Sequence, residues 1–159
     1  MQKITTFLAY NTQAEEAAKL YTSVFKNSKI LNTTRYGDGA PPEYTKGSVM
    51  TVTFQLDGQT FVAMNGGSHF KFSDGISLSV SCETQEEIDQ LWEKLSEGGK
   101  KGPCGWLTDR FGVSWQIIPS VLPQLVGDRD PAKAKRAMQA MLKMTKLDIH
   151  ALQRAHDQA

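Results

Sequence analysis

Thr12-Gln-Ala-Glu15-Glu16-Ala17-Ala-Lys-Leu20-Tyr21-Thr-Ser-Val24-Phe25 is the stretch from which the fold can be read. Its apolar positions 17, 20, 21 and 24 follow the i, i+3, i+4, i+7 spacing of a helix with one buried face. Thr12 and Glu15 have the spacing of a capping box, in which side chains satisfy the orphan amide donors of the first turn. About seventy residues later the pattern returns, with Thr84 and Glu87 as the box and Ile88, Leu91, Trp92 and Leu95 as the stripe. Gly98-Gly99 is the stop signal. Two helices with the same caps and stripe predict a duplicated supersecondary unit.

The flanks agree with duplication. Lys3–Tyr10 precedes the first helix, and Ile76-Ser-Leu-Ser-Val-Ser-Cys82 precedes the second. The latter alternates apolar and hydroxyl residues with period two, the mark of a strand with two different faces. Ile76, Leu78 and Val80 are expected under the helix, and Ser77, Ser79 and Ser81 on the other side. Ser28–Tyr36, Ser48–Leu56 and Thr60–Met64 read as strands after the first helix, with Asp57-Gly58 as a hairpin turn. Shorter strands follow the second, near Gly102–Leu107 and Val113–Ile118, joined through Thr108–Gly112. Each half is therefore β-α-β-β-β. The expected class is α+β, a mixed sheet with helices on its outer face and a concave face free to bind.

A chain of 159 residues buries a real core without disulfides or structural metal. One domain is expected, with modules at about 1–66 and 74–120 and a helical tail at about 121–159. The formal net charge of +1 removes the main electrostatic reason to propose nucleic acid. Apolar runs are too short to span a bilayer, and the N-terminus runs into a strand-like segment without the apolar core of a signal peptide. Cys82 and Cys104 lack metal-motif spacing and read as free thiols of a cytoplasmic protein.

Gly37–Pro42 is rich in helix and strand breakers and reads as a mobile loop. Residues 65–74 link the halves. In the tail, Asp130-Pro131 is an N-cap with proline at the first helical position. Ala134, Met138 and Met141 start an apolar stripe, and Asp148 caps a final helix through Ile149, Leu152 and Ala155. The tail is expected to pack on the barrel or on a partner subunit.

With this register, Gln116 and the serines at 77, 79 and 81 line the concave face among Leu8, Tyr10 and Met64. A few convergent polar groups among apolar ones are what a small-molecule pocket presents; small residues also serve to let a sheet curve and pack. Alternation sets Trp115 opposite Gln116, in the core, and makes Trp106 the better candidate for a pocket wall, although packing is the commoner role of each tryptophan taken alone. Thr6, Leu8, Tyr10, Met64, Ser77, Ser79, Trp106 and Gln116 are thus the expected ligand contacts. Cys104 has no sequence neighbour that would activate a thiol. Asp109 and Gly112 suit positions i and i+3 of a type I turn. Glu15-Glu16 and Glu86-Glu87 sit in first helical turns, where carboxylates favour the helix dipole. No catalytic residue is assigned.

Gly105-Trp106-Leu-Thr-Asp109-Arg-Phe111-Gly112-Val-Ser-Trp115-Gln116-Ile-Ile-Pro119, together with Gln85–Gly99 and the tail from Asp130 to about Ala155, resembles the PhnB-like branch of the vicinal-oxygen-chelate (glyoxalase and bleomycin-resistance) proteins. The resemblance implies two modules paired into a funnel, often in a homodimer. In metal-dependent relatives each module gives one ligand from its first strand and one from its last. Those positions fall here at Ile4 or Thr6, Gly75, Val62 and Gln116, of which only Gln116 is a competent ligand. A catalytic divalent ion needs about three protein ligands and an open position.

Some such proteins have been described as demethylubiquinone methyltransferases. This chain has no Gly-rich strand-to-helix loop for a nucleotide-like methyl donor, so that activity is not expected. The leading expectation is a metal-free, cofactor-free protein binding an unidentified small organic molecule as a homodimer, with turnover open. One alternative is a metal-dependent lyase, isomerase or dioxygenase with rearranged ligands, such as His69 from a swapped subunit. The other is an antibiotic-sequestering module, which near-neutral charge does not favour.

Overall fold

The computed structural model describes residues 2–158; Met1 and Ala159 lie outside the described residues. The chain divides into two compact units, Met1–Lys71 and Phe72–Ala159. Each carries the predicted β-α-β-β-β order on a four-stranded mixed sheet.

In the first unit, β1 (Thr6–Tyr10) leads to α1 (Ala14–Val24), then β2 (Lys29–Arg35), β3 (Val49–Leu56) and β4 (Gln59–Asn65). The spatial order is β1-β4-β3-β2, with β1 parallel to β4 and the other pairs antiparallel. Asp57 and Gly58 both have positive φ, 48° and 81°, as a two-residue type I′ hairpin demands. The core joins Leu8, Tyr10, Val52, Phe54 and Phe61 to the helix face Ala14, Ala17, Ala18 and Tyr21.

Two expectations about α1 are corrected. Its N-cap is Gln13, which makes no side-chain cap, so the Thr12–Glu15 box does not form. Asn65, at the end of β4, accepts from the Ala14 amide at 2.9 Å and replaces it. The buried stripe is also narrower than the spacing implied, because Leu20 and Val24 are only half-buried. Small alanines let the helix lie close on the sheet instead.

In the second unit, β5 (Leu78–Cys82) leads to α2 (Gln85–Ser96), β6 (Lys100–Lys101), β7 (Trp106–Thr108) and β8 (Ser114–Pro119), in the order β5-β8-β7-β6. Here the box forms: Thr84 Oγ1 accepts from the Glu87 amide at 3.2 Å, and the Glu87 carboxylate from the Glu83 amide at 3.1 Å. Ile88, Leu91, Trp92 and Leu95 are buried as expected. Ile76 is not under the helix but 79% exposed. A turn from Ser73 to Ile76 engages that backbone, with Ile76 N–H on the Ser73 carbonyl, and delays the strand to Leu78.

The tail folds as α3 (Leu122–Val126), α4 (Pro131–Leu142) and α5 (Ile149–Asp157). Asp130 and Asp148 cap α4 and α5, accepting from Ala132 N–H at 2.9 Å and Ala151 N–H at 2.8 Å. The stripe predicted on α4 is rotated. Ala137 is its buried residue, while Met138 is exposed. Leu122, Leu125, Ala137, Leu147 and Leu152 form the tail's own core. No helix among the described residues is long and apolar enough to cross a membrane.

Candidate functional site

The β7–β8 hairpin is anchored from inside by Asp109, which is 2% exposed. Its Oδ1 accepts from Phe111 N–H and Val113 N–H at 2.9 and 3.0 Å, and its Oδ2 from Trp115 Nε1–H at 2.9 Å. A buried carboxylate is tolerated only with such donors around it. The turn reading of Asp109 therefore holds and is incomplete, because the same side chain also fixes Trp115 in the core.

With Trp115 fixed on the helix side, strand alternation sends Gln116 to the open side. The pairing of β8 with both neighbours sets Ser79, Gln116 and Trp106 in one row across three strands. Ser77 stands beside it and accepts a hydrogen bond from Gln116 Nε2 at 2.9 Å. That bond orients the amide. Among the described residues, no hydrogen bond is found at Gln116 Oε1, the Ser79 hydroxyl or the Trp106 indole N–H. Four sequence-predicted contacts, Ser77, Ser79, Trp106 and Gln116, thus come together on the open face of the second sheet. Ile118 and Ser81 form the next row of that face.

The first sheet corrects the expected grouping of Leu8 and Tyr10 with Met64. Leu8 pairs with Ala63 and Tyr10 with Asn65, on the face that α1 covers. Both are buried, at 7% and 3% exposure, and Tyr10 OH lies 3.2 Å from Tyr21 OH. Thr6 shares their face by alternation. Met64 is opposite, aligned with Ala9 and Thr51. Phe7-Leu8-Ala9-Tyr10 is apolar on both sides, so period two alone does not say which side faces the helix.

The open face of the first sheet holds residues the sequence reading missed. Thr34 and Thr51 meet across β2 and β3 through their hydroxyls at 2.6 Å. At its end Tyr36 and Tyr44 stack, with ring centroids 4.4 Å apart, and Tyr36 OH donates to the Asn65 carbonyl at 2.6 Å. Desolvation, then the neighbouring Tyr44, pushes the Tyr36 phenol above its ordinary value. His69 and Phe70 pack against each other at 4.3 Å, and the Phe70 ring and Met64 methyl fill the space over Gly66. The two tyrosines, each bordering a breaker-rich loop, were the available signal.

The positions aligned with a superfamily metal site do not fit an ion. Val62 and Ile4 are alkyl groups, Gly75 offers no side chain, Thr6 brings only a hydroxyl on the helix-covered face, and Gln116 alone has an amide oxygen to give, one ligand where about three are needed. Among the described residues no three His, Cys, Asp or Glu side chains converge to hold a metal. The Cys82 thiol is pushed up to about 12 by burial, with Glu87 and Glu83 adding to it, which keeps it protonated and unreactive.

A family profile described as 3-demethylubiquinone-9 3-methyltransferase matches residues 2–118. A solved Bacillus cereus structure, described as a PhnB protein and as a methyltransferase of that kind, is 40% identical. It covers 74% of this chain and 99% of its own, with a TM-score of 0.66. A Pseudomonas aeruginosa structure at 23% identity covers 72% and 95%, with a TM-score of 0.62. The Listeria monocytogenes fosfomycin resistance protein FosX, solved with Mn(II) and sulfate, is 14% identical, covers 78% and 95%, and has a TM-score of 0.51. The last two share the fold alone. No curated protein matches the chain.

Proposed function

This chain belongs to the PhnB-like family of the vicinal-oxygen-chelate superfamily, and from that premise we propose that it binds a small organic molecule. The Ser79–Gln116–Trp106 row carries the reading. An oriented amide oxygen, a hydroxyl and an indole N–H share one solvent-reaching face, with a flat ring as wall. These groups are uncharged, so they suit a neutral molecule with a carbonyl or hydroxyl beside a planar apolar part.

Binding is metal-independent in this proposal, because among the residues at the ligand positions only Gln116, through its amide oxygen, could ligate an ion. Methyl transfer is not part of it either. The turns that enter α1 and α2 are Asn11-Thr-Gln13 and Glu83-Thr84, and neither has the glycines that let a backbone approach a nucleotide. The two units are the modules of one domain, assembled as a homodimer in the cytoplasm. Phe7 on outer strand β1, Ile4 just before it, and Ile76 just before outer strand β5 are large apolar groups left exposed that a second copy would cover.

A screen of neutral carbonyl and hydroxyl compounds by thermal shift and tryptophan fluorescence tests the reading. Hits are expected to weaken by about tenfold in Gln116→Leu, the loss of about one hydrogen bond to an oriented amide. Hits that bind Gln116→Leu and Trp106→Ala as tightly as the native chain would sink the assignment of this face.

A further inference from the structure

We propose that the C-terminal tail positions the Trp106 wall and that Gln85 is the residue through which it does so. The inference rests on the reading that the Trp106 row receives the ligand, and it deepens that reading by adding a positioning residue far from the row.

Gln85 opens α2, and both ends of its amide are engaged. Nε2 donates to the Leu147 carbonyl at 3.0 Å and to Asp89 Oδ1 at 3.0 Å, while Oε1 accepts from Ile149 N–H at 2.8 Å. Asp89 also pairs with Lys146 at 2.9 Å, and that contact, with Gln85, holds its carboxyl below the usual range. One helix turn thus grips residues 146–149 at three points. Leu147 has no exposure and seats the segment in the tail's core.

Just upstream, the same segment holds the approach to Trp106. The Met144 carbonyl accepts from Cys104 N–H at 2.9 Å and the Thr145 carbonyl from Gly105 N–H at 2.7 Å. Cys104 and Gly105 have φ of 58° and 84°, the left-handed region that a cysteine rarely enters unless its surroundings impose it. A side chain at 105 would meet the Ile117 carbonyl at 2.8 Å and Leu147 Cδ1 at 3.0 Å, so strand β8 and the tail close on this residue from two sides. Trp106 is the next residue, and its indole direction follows from that turn. The tail lies beyond residues 2–118, the part matched by the family profile.

Acrylamide quenching of tryptophan fluorescence tests this in the full chain without a ligand. Trp92 and Trp115 are each 2% exposed, so the quencher reports on Trp106. In Gln85→Ala the quenching constant is expected to rise about twofold as the turn opens locally, with loss of near-ultraviolet indole ellipticity. Glu93→Ala removes the exposed ion pair that the same helix makes with Lys101, without touching the tail, and should leave both at native values. Adding Trp106→Phe to Gln85→Ala should abolish the difference. Native quenching in Gln85→Ala overturns the proposal, as does a difference that survives Trp106→Phe. Should Gln85→Ala not fold, Lys146→Ala decides by the same comparison. A failed ligand screen would leave this readout untouched, so the two proposals fail separately.

Discussion

Asp109 and Trp115 form a buried carboxylate–indole pair at 2.9 Å, six residues apart on one hairpin, and that pair decides which way Gln116 faces. Asp109→Ala would leave the Trp115 N–H and two backbone amides without their acceptor. The expected loss of stability is about 3 kcal/mol, read from urea unfolding. Asp109→Asn retains an acceptor and should cost less. Equal stability of Asp109→Ala and the native chain would remove the pair from any role in holding the hairpin.

The two helices that look alike start differently, and substitution separates them. Thr84→Ala is expected to cost about 1 kcal/mol, the usual value of a lost cap, whereas Thr12→Ala should stay within about 0.5 kcal/mol. Asn65→Ala, which strips the acceptor from Ala14 and the donor from the Val49 carbonyl, should cost about 2 kcal/mol. Thermal or chemical unfolding of the three variants side by side checks the order.

His156 gives the tail a pH dependence of defined sign. Its Nδ1 lies 2.7 Å from Asp157 and its Nε2 2.8 Å from Asp128, so both ring nitrogens donate when the ring is charged. These bonds, that to Asp157 first, raise the imidazole above its ordinary 6.5. Its stabilisation is complete below 6.5 and is lost as pH climbs through the raised value. Asp128 and Asp157 are held below the ordinary 3.8, Asp128 chiefly by the Asp130 amide and Asp157 by His156. Their contribution is present above 3.8 and disappears as pH falls through the lowered values. The melting temperature should therefore sag on the alkaline side in the native chain and stay flatter in His156→Gln. A native profile with no alkaline decline would contradict this account.

Metal analysis of untagged protein, repeated after incubation with Ni, Zn, Mn and Fe(II), is expected to show no near-stoichiometric ion. The donor set at Val62, Gly75 and Gln116 falls short of three ligands. Near-stoichiometric metal that is lost in Gln116→Ala would reverse the metal-independent reading.

What could be read from the residues depended on how different a strand's two faces were. Leu78, Ser79, Val80 and Ser81 differ sharply from one position to the next, so the open face of the second sheet was legible. Phe7 to Tyr10 do not differ, and the face of β1 came out inverted. Capping was legible only where local residues supply it. Thr84 uses its own neighbours, while the start of α1 uses Asn65, some fifty residues away and invisible to spacing. The Tyr36–Tyr44 stack and the Gln85 grip on the tail are likewise long-range, and α3, five residues long, is too short for periodicity to detect.

Asn65 is followed by Gly66, the dipeptide most prone to lose its side-chain amide through a succinimide. That reaction needs the Gly66 nitrogen to swing onto the Asn65 side chain. Here the nitrogen donates to the Tyr10 carbonyl at 2.8 Å, and the side chain is pinned at both ends by Ala14 and Val49. Chemical ageing at this point is thus gated by opening of the first unit rather than by time alone. Each conversion to aspartate would set a carboxylate against the Val49 carbonyl and weaken the bonds that had delayed it, so the damage, once begun, speeds the exposure of the chain that carries it.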